Sequence, residues 1–225
     1  MTKKKRQKKS DRISELPDHV LLHIIEFMNI RQSVRTCVLS KRWKNVWKSL
    51  TNLKLHHTKK ARADIFNKFV SQILSGRDGS LPLHSLEYVH DDAVYYCPKT
   101  TLLDIMELAA SHNVQQVTIK VERWNIKDLE LPTSIFNSQS MTFLKLDFRY
   151  TCPYGLGKMF PKSLNLPALK TLHLTDLIFT TSDNDNGCIE PFSTCNMLSN
   201  LFIVGWFLQD DAPKPSPYPI PRFLV

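Results

Sequence analysis

The sequence predicts an α+β chain, in which a small three-helix unit at the N-terminus is followed by a repeat solenoid with a parallel sheet. Two observations carry that expectation. Between Asp11 and Leu50, apolar residues recur at helical spacing in three short segments. From Leu50 onward an apolar phrase returns at intervals of 33, 31, 27, 28 and 29 residues. A strand-like phrase that comes back at about 20–29 residues, or slightly more, marks stacked repeats.

Taken in order, residues 1–10 (MTKKKRQKKS) hold too few apolar groups for a core and are expected to form a disordered basic tail. Lys3, Lys4, Lys5, Arg6, Lys8 and Lys9 fit a single-cluster nuclear import signal, or equally a solvated run that only raises solubility.

The first helix starts at Pro17, whose missing N–H is not needed at a first helical position. Val20, Leu21, Ile24, Ile25 and Met28 follow at helical spacing, and Leu22 and Phe27 widen the apolar surface. A second segment carries Val34, Cys37 and Val38. Ser40 is placed to cap a third, with Trp43, Val46, Trp47 and Leu50 at i, i+3, i+4 and i+7. One core needs an apolar stripe of about 100°, and the first helix offers more. The surplus either packs on the rest of the chain or serves a partner protein.

The wording of residues 11–50 resembles an F-box, the motif through which substrate receptors dock on the Skp-type adaptor of SCF (Skp–cullin–F-box) ubiquitin ligases. The likeness lies in Asp11-Arg12-Ile13-Ser14, Leu16-Pro17, the Val20-Leu21 and Ile24-Ile25 doublets, and Val38-Leu39-Ser40-Lys41-Arg42-Trp43. The resemblance implies that Leu16, Pro17, Leu21, Ile24 and Val38 face the adaptor, while Trp43 and Trp47 hold the helices together. His19 departs from the motif, which often has Glu there.

The phrase Leu50-x-x-Leu53-x-Leu55 opens residues 51–208. It returns from Leu83, Val114, Met141, Leu169 and Leu198, each time with apolar residues at the fourth and sixth positions. This is the signature of a leucine-rich-repeat solenoid. Helical returns are expected around Ile65–Leu74, ending near Gly76, and after Thr101 as a cap; Pro132, Pro153, Pro161 and Pro167 favour extended or 3₁₀ returns later. Because side chains alternate along a strand, Glu87, Gln116, Thr118, Lys120, Phe143, Lys145, Asp147, Thr171, His173, Asn200 and Phe202 are expected to point outward as a target-binding ribbon. The proline-rich residues 209–225 are expected to be a tail, which either covers the last repeat or marks a shortened member. An F-box followed by such repeats is similar to the plant F-box/leucine-rich-repeat family.

Composition narrows the rest. An apolar fraction of 42% supports a core. The net charge of +9 is local: residues 1–60 hold 16 Lys/Arg against 4 Asp/Glu, the remainder 14 against 17. A nucleic-acid-binding body is therefore not expected. Five cysteines without a CxxC pair point to a reducing compartment, and no apolar run reaches the roughly 20 residues that span a bilayer. A soluble protein of nucleus and cytoplasm, without a membrane partner, is the expectation.

Catalytic and metal chemistry finds little support. His19 and His23 stand at i, i+4 without a third ligand, so a polar helix face is expected. Gly155-Leu-Gly157-Lys158 lacks the rest of a phosphate loop, and Asp183, Asp185 and Gly187 lack the acidic twelfth ligand of a calcium loop. No nucleophile elbow is present. The expectation is a non-enzymatic receptor without cofactor or metal. It would recruit a target protein to an SCF-type ligase through the adaptor, and through that to cullin and RING subunits. The alternative is a nuclear scaffold or nucleic-acid-binding protein outside any ligase.

Overall fold

A computed structural model of the chain describes residues 12–13, 15–57, 62–91, 97–122, 131–148, 160–161, 163–179 and 191–208. Two compact units divide between Leu50 and Thr51.

In the first unit, helix α1 spans Asp18–Glu26. Pro17 sits one position earlier than expected, as an extended N-cap, and its carbonyl accepts from the Val20 and Leu21 N–H groups. Only Leu21 and Ile25 on this helix are fully buried. Helix α2, Ile30–Arg35, begins at Asn29, whose side-chain oxygen accepts from the Gln32 N–H at 3.0 Å.

The buried face of the second segment is not the one the apolar pattern suggested. Ile30, Ser33 and Thr36 point inward, whereas Val38 is 87% exposed. Ser33 donates to the Ile25 carbonyl at 3.1 Å, and Thr36 donates to the Ser33 carbonyl at 2.7 Å. Backbone acceptors satisfy these hydroxyls, which removes most of the cost of burying them.

The expected third helix is instead a 3₁₀ segment, Trp43–Ser49, and a shorter 3₁₀ segment, Thr36–Val38, closes the second. Arg42, rather than Ser40, stands at the N-cap of Trp43–Ser49, and the Ser40 carbonyl accepts from the Trp43 N–H at 3.1 Å. The run WKNVWKS is short and poor in strong helix formers, so the i→i+3 pattern prevails.

The second unit is a six-stranded, wholly parallel sheet whose strands lie in chain order. The strands are β1 Asn52–His57, β2 Ser85–His90, β3 Gln116–Val121, β4 Phe143–Phe148, β5 Thr171–Phe179 and β6 Asn200–Leu208. The fourth and sixth positions of the phrase form two cross-strand rows. One is Leu53, Leu86, Val117, Leu144, Leu172 and Leu201; the other is Leu55, Tyr88, Ile119, Leu146, Leu174 and Ile203. From β1 to β5 every member of both rows is buried.

A recurring backbone contact keeps the strands in phase. The carbonyl just before each strand accepts two N–H groups from the entry to the next, at Thr51, His84, Gln115, Thr142 and Lys170. Five repetitions of one local geometry explain why strand entries align although the intervening lengths differ.

The returns follow local chemistry. Helix α3, Ala63–Gly76, ends where expected. Helix α4, Lys99–Ser111, starts after Pro98, so Thr101 lies buried in its first turn and is not the cap. After Pro132 the return is a 3₁₀ turn, Thr133–Phe136. A third inward row holds His57, His90, Val121 and Phe148, with the two imidazoles stacked 4.6 Å apart. Further along, Asp176 and Gly205 both have positive φ, and a Cβ on Gly205 would fall 2.0 Å from an Asp176 carboxylate oxygen. That kink lets Leu174 and Leu177 both reach the core from one strand.

Candidate protein-binding surfaces

On the first unit, the residues expected to face a partner separate into two groups. Pro17 is exposed, Leu16 and Ile24 are half-buried, and Val38 stands in solvent. Leu21 is a correction: it is fully buried and belongs to the core of the unit. The i, i+4 relation of Leu21 to Ile25 turns it inward, a choice that hydrophobicity alone could not make. Trp43 is 2% exposed, whereas Trp47 is only half-buried, with the Lys48 ammonium 6.0 Å from its ring centre. The core role expected for Trp47 is thus shared with a surface role.

Sequence reasoning missed the residues that dominate this surface. Ile13, Phe27, Met28 and Leu39 are all exposed, Phe27 by 80%. Met28 and Leu39 line a shallow depression of about 370 Å³ with Gln32, Arg35 and Thr36. The signal was available as apolar surplus around the first helix, but not which members of it would be left over. An ion pair between Arg42 and Asp18 ties the start of the second 3₁₀ segment to the first turn of α1. His23 turns to Glu26 at 3.5 Å and packs edge-on against Phe27.

On the sheet, Gln116 and Phe202 are exposed, while Thr118, Lys120, Phe143, Lys145 and His173 are half-buried. One cross-strand row reads Lys54, Glu87, Thr118, Lys145, His173 and Phe202. Rings connect its end: Phe143 lies 5.6 Å from His173, and His173 stacks on Phe202 at 4.2 Å with planes 12° apart. Loss of hydration first, and the Lys145 charge second, push the His173 imidazole below its usual range. His56 meets Glu87 at 3.2 Å, and Lys120 meets Glu122 at 4.0 Å. Asp147 is the second correction, because it is only 6% exposed. Strand alternation settles the side a residue takes but not what covers it, and Asp147 pairs with Lys120 and Thr175 in an interior strand.

Among the described residues no group of three or more His, Cys, Asp or Glu is arranged to hold a metal ion, and no helix is long and apolar enough to cross a membrane. Cys97 packs against the Tyr88 hydroxyl at 3.2 Å, and burial pushes its thiol up to about 12. It is a structural thiol rather than a nucleophile. The basic tail from Lys3 to Lys9, Gly155–Lys158, Asp183–Gly187 and residues 209–225 lie outside the described residues.

Residues 13–55 match the F-box domain model. Along most of its length the chain is also similar to F-box/LRR-repeat protein 13 of Arabidopsis thaliana, 32% identical over 202 residues, covering 89% of the chain and 42% of the relative. The chain belongs to the plant F-box/leucine-rich-repeat proteins. A second Arabidopsis relative, FBD-associated F-box protein At4g10400, is 31% identical over 170 residues, with 73% of the chain and 38% of the relative covered. A third, F-box protein At4g09920, is 28% identical over 200 residues, covering 86% and 58%. This F-box/leucine-rich-repeat chain therefore spans less than two thirds of the length of each of these relatives. The model match extends past Leu50 into β1, so the F-box wording runs beyond the first compact unit.

Proposed function

We propose that this chain is a substrate-recruiting subunit of an SCF-type cullin–RING ubiquitin ligase. The observation that carries the reading is the apolar surface on the F-box unit. Ile13, Phe27, Met28, Val38 and Leu39 are held in solvent by a unit that buries Leu21, Ile25, Ile30 and Trp43. Exposed apolar groups on so small a body mark a docking site. The Skp-type adaptor would take Leu16, Pro17, Ile24 and Val38, joined by Met28 and Leu39, and would bring in cullin and RING subunits. Catalysis then belongs to those partners, and this chain supplies proximity.

The sheet unit would hold the target. Its chain-order parallel strands and the repeated carbonyl contact support a leucine-rich-repeat solenoid. The outward ribbon from Gln116 to Phe202 would be the target-binding face. The basic tail would favour nuclear import, giving a protein of nucleus and cytoplasm; deleting residues 2–9 should then lower the nuclear share of a large fluorescent fusion. Co-purification of the chain with a Skp-type adaptor tests the main reading. Failure of the purified proteins to associate would leave a scaffold outside any ligase.

A further inference from the structure

The outward sheet face is divided by chemistry. Across β1 to β3 it is polar apart from Val89, and its carboxylates are engaged: Glu87 with His56, and Glu122 with Lys120. Across β4 to β6 three rings form a continuous platform, Phe143 against His173 against Phe202. Lys145 stands at the seam, in the same row as His173. Of the two acids on these strands, Asp147 is buried and Asp176 lies at the kink with its carboxylate beside Gly205, and Lys145 forms no ion pair with a carboxylate among the described residues. With its proton affinity held down, His173 is a neutral ring at neutral pH and acts as part of the aromatic surface.

Resting on the reading of this chain as a target-recruiting subunit, we propose that the β4–β6 face receives an extended acidic segment of the target protein. An aromatic side chain of that segment would lie on the Phe143–His173–Phe202 platform, with an adjacent carboxylate on Lys145. Rings stacked on one another along the row present their edges outward, which favour the face of an aromatic partner in edge-to-face contact, and a half-buried ammonium favours an anion beside it. A basic segment would face like charge at Lys145, and a purely aliphatic acidic one would leave the platform uncovered.

The full chain can be tested with three fluorescein-labelled peptides by anisotropy. The first has a central tryptophan between pairs of aspartates, the second has alanine for tryptophan, and the third has lysines for aspartates. The first should bind about tenfold more tightly than either of the others, and Phe202→Ala and Lys145→Glu should each cost it about tenfold. Lys145→Glu should also take the lysine peptide better than the unaltered chain does. Should Lys145→Glu not fold, Lys145→Gln should still weaken the acidic peptide. Equal binding of the three peptides, no binding of the acidic one, or unchanged affinity in these variants would overturn the proposal. Adaptor capture on the same proteins separates the two readings. Retained capture with failed peptide discrimination removes this inference alone, and lost capture with intact discrimination removes the ligase reading alone.

Discussion

The two units of this chain bury their apolar residues by different means. Among residues 12–50 the core is a handful of side chains, Leu21, Ile25, Ile30, Trp43 and Leu50, while Phe27 and Val38 are more than three-quarters exposed. In the sheet unit each strand adds to rows already in place, and from β1 to β5 the phrase positions are at most 4% exposed. A short helical unit has too much surface for its volume to hide everything. Stacked strands share their interior with neighbours on both sides. The difference lies in what each leaves outside: the F-box unit keeps large apolar side chains in solvent, and the sheet unit covers most of its own internally.

That contrast can be broken most directly at the cores. Trp43→Ala should cost about 3–5 kcal/mol, enough to unfold a unit with so few buried groups. Hydrogen exchange should then show lost protection in residues 18–50 and retained protection in β2 to β4. Leu146→Ala, in the middle of a row, should cost about 2–5 kcal/mol and leave α1 protected. If either variant strips both units together, the two cores are not energetically separate.

A smaller effect tests the exposed surface. Val38→Asp should change folding stability by no more than about 0.5 kcal/mol, because nothing buried is lost. It should weaken adaptor capture by about 2 kcal/mol or more if Val38 is a buried anchor in the complex. Equal capture by both proteins would remove Val38 from the docking surface.

The kink between β5 and β6 gives an intermediate test of the sheet. Gly205→Ala places a Cβ on the Asp176 carboxylate and forces a side chain into a left-handed backbone, a cost of about 1–3 kcal/mol. The loss should be local, seen as faster exchange in β5 and β6 with β1 to β3 unchanged.

The smallest expected effect is a pH dependence at the aromatic platform. The folded state holds the His173 imidazole below its usual 6.5, chiefly by desolvation and then by Lys145. The unfolded chain therefore takes the proton first as pH falls. Its contribution to stability is complete above 6.5 and declines as pH drops from there toward the lower folded value. Thermal melts should show His173→Gln losing less stability than the unaltered chain between about pH 7.5 and about pH 5.5. Identical slopes would mean that the ring is not held neutral.

The sequence by itself determined the order of the pieces, because that information is periodic. Leu53, Leu86, Val117, Leu144, Leu172 and Leu201 are recognisable from spacing alone, and they fall in one row of the sheet. Proline at 132 likewise announced a short return. The third inward row was legible too, two residues past each phrase, but histidines at 57 and 90 do not look like core until their neighbours are seen. What only the tertiary structure decided was which apolar or polar side chain is left outside. Leu21 and Val38 carry the same hydrophobic label, yet one is sealed and the other stands in water. Ser33 and Thr36 go inward because particular carbonyls await them, and Asp147 is covered by its surroundings in an interior strand. Periodicity is a property of one chain segment, whereas exposure is set by every segment that packs around it.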